Sequence, residues 1–303
     1  MTLPMRLILS LALVAVSACA TPPRQPAPPT ATPQQLYDRV GAFAQPTQDG
    51  RLAALKAQLD AAGLPFTVED FDGKRLAPAR GHNVVVHVGP TMGREILLVA
   101  HYDAVVLPGG KLVDGLVDNA GSVVAMIEAT KRVAGRTRHP VCLILTDQEE
   151  LGLVGAKAWI DAHGIDNIAA TIVGDVNANG DTLMYGLNSG AQSKFLTEAA
   201  DALCTARAMS CLAFPEYPPS DDQAFSAAGA PVLSIGFQPK AEAEKLRAFM
   251  LAPQTATKAG MIPEVLMLIH TPNDTLAKVE PAALAAVADF VAALVMKLDG
   301  EIS

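Results

Sequence analysis

The stretch VCLILTDQEELGLVGAKAWIDA, Val141–Ala162, runs through a strand, a polar turn and a helix in succession. Val141–Thr146 is an apolar run without strict alternation, the pattern of a strand buried on both faces. From Leu151 to Ala162 the apolar residues return at helical spacing. Between the two, Glu149 and Glu150 stand side by side at the end of a buried element. Neighbouring like charges there repel and lose solvation unless something positive meets them.

The same alternation extends in both directions. Asn83–Val88, Glu95–Ala100, Ala170–Gly174 and Pro231–Phe237 read as further strands, and Leu52–Ala62, Asn119–Val133 and Ala191–Leu203 as helices. A last helix follows Glu280, with Pro281 in its first turn, and runs to about Leu298. Strands alternating with helices predict a three-layer α/β/α sandwich on a mixed, mostly parallel sheet. The strands starting at Asn83 and Glu95, joined by GPTMGR, are expected to form an antiparallel hairpin. The 303 residues, half of them hydrophobic, are ample for one large core, placed here in a single domain over 34–303.

A formal net charge of −8 and the lack of a basic stripe argue against a nucleic-acid partner. There is no Walker A or dinucleotide fingerprint, and GLNSG at Gly186–Gly190 lacks the order of a nucleophile elbow. Nucleotide cofactors and serine chemistry are therefore not expected.

Residues 1–18 read as a leader: a basic start, Met1–Arg6, and an apolar core, Leu7–Val16, too short to span as a mature helix. Val16-Ser17-Ala18-Cys19 resembles a bacterial lipobox, which would lipidate Cys19; an ordinary secretory signal is the alternative. Either predicts export. As Ala20 brings no acidic retention signal, the expected location is the periplasmic face of the outer membrane, with the lipid as the only membrane contact. The proline-rich residues 19–33 would be the tether. Cys142 reads as a buried small hydrophobe, while Cys204 and Cys211, seven apart, are open to pairing in an oxidising compartment.

Polar clusters sit where the strands end. His101-Tyr102-Asp103 follows one strand, Asp118-Asn119 opens a helix, Glu149-Glu150 follows another strand, and Asp175 a third. His270 follows the apolar Val265–Ile269, read as leading into it as a strand. In open α/β sheets, sites gather beyond the carboxyl ends of strands. Histidines with carboxylates suit a pair of zinc-like ions sharing a bridging carboxylate. Strand alternation sets His101 and Asp103 on one side, so the acid can orient the imidazole.

These residues carry a resemblance. HYD, DNAGS, DQEELGLVGAKAW, VGDVN, SDDQAF and HTPND occur in the order and approximate spacing of the M28 family of co-catalytic zinc aminopeptidases, from about Asn83 onward. The resemblance implies two zinc ions, one held by His101 and Asp175 and the other by Glu150 and His270, with Asp118 bridging. It also implies Glu149 as the general base toward the attacking water and Asp103 as the support of His101. The expected substrate is a peptide with a free N-terminus. Two stretches depart from the family: Asp222 and Gln223 stand where a histidine commonly follows SD, and Lys240–Met261 looks like an inserted helical lid.

Each cluster has a plainer explanation. His101 would be a core histidine, Asp118 a helix N-cap, Glu149 and Glu150 first-turn acids, and Asp274 a turn residue. His82, His87, His139 and His163 match no motif. Three rival functions share the scaffold: a one-zinc glutaminyl cyclase-like acyltransferase, a carboxypeptidase-type hydrolase, and a non-catalytic peptidase-like binding protein.

Overall fold

The computed structural model describes residues 28–73 and 80–302. The leader, Cys19 and the tether through residue 27 lie outside the described residues. The chain enters through α1 (Pro33–Gly41), which starts with a capping box between Thr32 and Gln35 and has Pro33 in its first turn. Next comes α2 (Gln48–Ala62), capped by the Thr47 hydroxyl and ended by Gly63 in the left-handed region.

Eight strands follow: β1 (Phe66–Asp72), β2 (Arg80–Val88), β3 (Glu95–His101), β4 (Val141–Thr146), β5 (Ile168–Gly174), β6 (Thr182–Gly186), β7 (Ser210–Phe214) and β8 (Val232–Gln238). They form one sheet in the order β1-β2-β4-β3-β5-β8-β6-β7. The pairs β3–β4, β3–β5, β5–β8 and β6–β7 are parallel, and β1–β2, β2–β4 and β6–β8 antiparallel. The sheet is thus mixed and mostly parallel.

The expected hairpin between β2 and β3 does not form. β4 lies between them, paired antiparallel to β2 and parallel to β3. Every residue of β4 is buried, so this strand needs a partner on each side, and the linker from β2 to β3 steps over its start. The strands without a clear sequence signal include both edges. β1, FTVEDFD, carries acids that an interior strand would not, as edge strands commonly do.

On one face pack α3 (Gly121–Val133), α5 (Lys194–Ala206) and α10 (Pro281–Glu301), along with α1 and α2. The other face is covered by α4 (Val154–His163) and α6 (Asp222–Ala228), where Trp159 and Phe225 meet Leu97, Val99 and Ile144. The helix α10, at mean hydropathy 1.8, is long and apolar enough by composition to cross a membrane. Here it is a core element whose Leu284, Val287, Val291 and Leu294 are fully buried. At about 1.5–3 kcal/mol for each such side chain, this helix is a large share of the fold's driving force.

Within 240–261, α7 (Lys240–Leu251) and α8 (Pro253–Lys258) are helical as expected. The run Val265–Ile269, expected as a strand, belongs instead to a short helix, α9 (Glu264–Leu268). Its apolar residues alternate between buried (Val265, Leu268) and exposed (Met267), a helical pattern too short to read unambiguously from sequence.

Cys204 and Cys211 are bridged, tying the end of α5 to β7 at an edge of the sheet. Closing so short a loop restricts the unfolded chain by about 2 kcal/mol. Replacing both with serine should lower the denaturant midpoint accordingly; an unchanged midpoint would show that the bridge contributes nothing to stability.

Candidate metal centre

Three parallel strands deliver the predicted residues to one place. His101 is the last residue of β3, Glu149 and Glu150 occupy the turn after β4, and Asp175 follows β5. Asp118 comes from the turn Leu116–Ala120 that leads into α3, where the Asp118–Asn119 peptide is cis, and His270 from the loop after α9. Three of these turns carry residues with positive φ: Gln148 and Leu153 beside the glutamates, Val176 after Asp175, and His270 itself. Such conformations cost energy in residues other than glycine and cluster at functional sites.

Asp118 lies at the middle of the arrangement. Its Oδ1 is 3.1 Å from His101 Nε2, which is also 3.7 Å from Asp175 Oδ1. Its Oδ2 is 3.1 Å from His270 Nε2, which is 3.0 Å from Glu150 Oε2. One carboxylate therefore faces two donor sets, His101/Asp175 and His270/Glu150, and in each set the ligand-type atoms converge within 4.8 Å. Zinc–nitrogen and zinc–oxygen bonds of about 2.0–2.1 Å put neighbouring tetrahedral ligands roughly 3.3 Å apart. The observed spacings bracket that value.

The donors fit a cation in a second way. Asp175 Oδ1, facing His101 Nε2 at 3.7 Å, is buried without a hydrogen-bond partner. On the other side of the His101 ring, Nδ1 faces Asp103 Oδ1 at 3.4 Å, as a supporting carboxylate would be placed. Buried polar atoms are rarely left unpaired, and a metal-binding site is one place where they are.

Charge gives the same account. Burial alone would lower His101, but Glu149 and the carboxylates of Asp103, Asp118 and Asp175 raise it well above the ordinary imidazole value. Hydrogen bonds to Asp118 and Glu150 push His270 up to about 10. Despite its burial, Asp118 is held below the usual carboxylate range by both imidazoles. Burial pushes Glu149 up to about 9, with His101 opposing the rise and Asp221, Asp175 and Asp103 adding to it. The cluster is short of positive charge, and the imidazoles hold protons to supply it.

The supporting contacts knit these loops together. Asp103 accepts from the backbone N–H of Glu149 at 3.1 Å and of Glu150 at 3.3 Å, so it sets the glutamate turn as well as facing His101. Asn119 donates to Gly174 O and accepts from Val176 N, binding the Asp118 turn to the loop that carries Asp175. The plainer explanations do not describe these positions. Asp118 makes no side-chain cap, and α3 has Ala120 at its N-cap position. Glu149 and Glu150 precede α4, which begins only at Val154.

Asp274, read as a turn residue, accepts from three successive backbone N–H groups, Leu116, Val117 and Asp118. Asp221 was visible only as part of SDDQAF; it is fully buried and accepts from the Thr146 hydroxyl at 2.5 Å. His82, His139 and His163 pair with Asp70, Asp299 and Glu69, away from the centre.

Beside the centre lies a cavity of about 130 Å³, reached by Asp118, Glu149, Glu150, Asp175 and His270. Its walls are Val176, Met184, Tyr217, Leu246, Val265 and Ile269, and no Lys or Arg is among its described lining residues. Leu246 comes from α7, so the segment 240–261 forms part of the wall.

Among solved structures, the chain resembles an aminopeptidase from Aneurinibacillus sp. strain AM-1, with TM-score 0.56 and 21% identity over 72% of this chain and 48% of that one. It resembles BSAP, a zinc aminopeptidase from Bacillus subtilis, with TM-score 0.57 and 19% identity over 72% and 50%. A glutaminyl cyclase from Porphyromonas gingivalis aligns with TM-score 0.67 and 16% identity over 89% of this chain and 99% of that one. The chain spans about half the length of the two aminopeptidases, and at these identities the likeness is one of fold. No curated protein matches it in sequence. The profile of Peptidase family M28 does, over residues 83–295, which includes every candidate ligand, and the chain belongs to that family.

Proposed function

We propose that the protein is a zinc-dependent exopeptidase that removes N-terminal residues from peptides. The observation that carries this reading is the position of Asp118, whose two oxygens each face a separate histidine–carboxylate pair. His101 and Asp175 would hold one ion, His270 and Glu150 the other, and Asp118 both. Bound there, two zinc ions would polarise the scissile carbonyl, make water acidic enough to attack near neutral pH, and offset negative charge on the carbonyl oxygen.

The chain's own residues move the proton. Glu149 sits at the cavity with the donors and is free of the hydrogen bonds that occupy Glu150 and Asp118. It takes a proton from the attacking water and passes it to the amine nitrogen as the carbon–nitrogen bond breaks. Asp103 positions the turn so that one glutamate binds metal while its neighbour stays available.

The largely apolar cavity is of the order of one side chain in size, and its acidic rim suits a free ammonium group, while no Lys or Arg stands among its described lining residues to receive a substrate's carboxylate. These features favour cleavage from the N-terminus, with leucine- or methionine-sized residues preferred. The Cys204–Cys211 bridge supports an exported setting, since disulfides persist in oxidising compartments.

A second reading is cyclisation of N-terminal glutamine, favoured by the near end-to-end alignment with the glutaminyl cyclase. One panel separates the two: aminoacyl anilides, N-blocked peptides and a glutaminyl peptide, each assayed with and without chelator. Chelator-sensitive release of leucine from free N-termini only is expected. Cyclisation of the glutaminyl peptide without release of other residues would replace the aminopeptidase reading.

A further inference from the structure

We propose that Arg51 and Asp274 are positioning residues that grip the Asp114–Asp118 backbone from opposite sides and so set the cation affinity of Asp118. The proposal rests on the reading of Asp118 as a shared ligand. Arg51 lies on α2, ahead of the residues that match the family, and nothing in its sequence context marks it.

Arg51 is fully buried, yet its hydrogen bonds all run to backbone carbonyls. Nε donates to Tyr102 O at 2.7 Å, Nη1 to Phe43 O at 3.1 Å and to Asp114 O, and Nη2 to Gly115 O at 3.1 Å. A buried guanidinium normally has a carboxylate to offset its desolvation. Here the carboxylates of Asp103, Asp274 and Asp118 act on the charge without touching it, its donors go to four carbonyls, and two of those belong to the segment that leads into Asp118.

Asp274 takes the rest of that segment. Its Oδ1 accepts from Leu116 N at 3.0 Å and Val117 N at 2.7 Å, and its Oδ2 from Asp118 N at 3.1 Å. Across five consecutive residues, a buried cation holds the first two carbonyls and a buried carboxylate the last three N–H groups. Gly115 shows how tight the grip is. Its φ is +57°, and a Cβ there would lie 2.7 Å from Ala104 Cβ, 2.8 Å from Asp118 O and 3.3 Å from Arg51 Nη2.

Arg51 also reaches the other half of the site. Tyr102, whose carbonyl it binds, stands between His101 and Asp103. One guanidinium thereby fixes the two backbone segments that present His101 and Asp118, setting their mutual distance before any ion arrives. Outer groups that orient ligands in this way typically control metal affinity by about 10–100-fold.

Arg51→Lys keeps the charge but cannot span four carbonyls, and Asp274→Asn keeps the shape but loses acceptor capacity. Zinc dissociation constants, from competition with a chromogenic chelator, should rise about 10–100-fold for both ions in each variant. At saturating zinc, kcat should fall while KM for a leucyl anilide stays near that of the parent. A purely structural role would lower the melting temperature of the metal-free protein and leave zinc affinity unchanged, and that result would overturn the clamp. Should Arg51→Lys fail to fold, Asp274→Asn decides alone. A parent that binds no zinc would overturn the metal reading itself, and a parent that binds normally beside unaffected variants would overturn only the clamp.

Discussion

Glu149→Gln should reduce kcat by roughly 10²–10⁴-fold while leaving the zinc content equal to that of the parent. The substitution keeps the side chain's size and leaves the backbone N–H that Asp103 accepts, so the glutamate turn stays in place. What it removes is the ability to take up a proton. The amide can still donate and accept hydrogen bonds at the cavity rim, so KM should change little. The alternative is specific, because Glu149 converges with His101 and Glu150 within 4.8 Å and has the position of a possible ligand. A variant that loses zinc along with its rate would place Glu149 among the ligands. Unchanged turnover would remove it from the proton transfer altogether.

The fold was legible wherever strands are buried on both faces. β4 was expected at Val141–Thr146 and is found there, because six apolar residues in a row leave few other places to go. The candidate ligands were legible for a related reason: each lies one to four residues past such a strand, or within a motif of fixed spacing. The pairing of β2 with β4 was not legible. Strand neighbours are decided by which partner completes a buried ladder, and a short linker suggested the wrong one. β1 and β7 escaped notice as edge strands, whose one exposed side weakens the hydrophobic pattern. Arg51 and Asp274 act by gripping backbone from 63 and 158 residues away in sequence, through contacts with no periodicity to betray them. Asp274 at least fell inside HTPND, whereas Arg51 looked like any polar residue of a surface helix.

The larger loss is expected at Asp118. Asp118→Asn retains one carbonyl oxygen but replaces the other with an NH₂ group that cannot bind a cation, and it removes the negative charge between the two donor sets. Because Oδ1 faces His101 and Oδ2 faces His270, one set loses its shared oxygen whichever way the amide turns, and the other keeps only a neutral carbonyl where a carboxylate stood. Affinity for both ions should fall by more than the roughly 10–100-fold typical of an outer supporting group, and activity should fall with occupancy. His270→Ala supplies the contrast. Its side chain is half exposed and belongs to one set only, so the variant should lose one ion and keep the other. Zinc titration of the two variants beside the parent reads this directly as stoichiometry. If Asp118→Asn still holds two ions at parental affinity, Asp118 does not bridge. If the parent titrates with a single ion and His270→Ala with none, the centre works with one metal, and the balance shifts towards the cyclase reading.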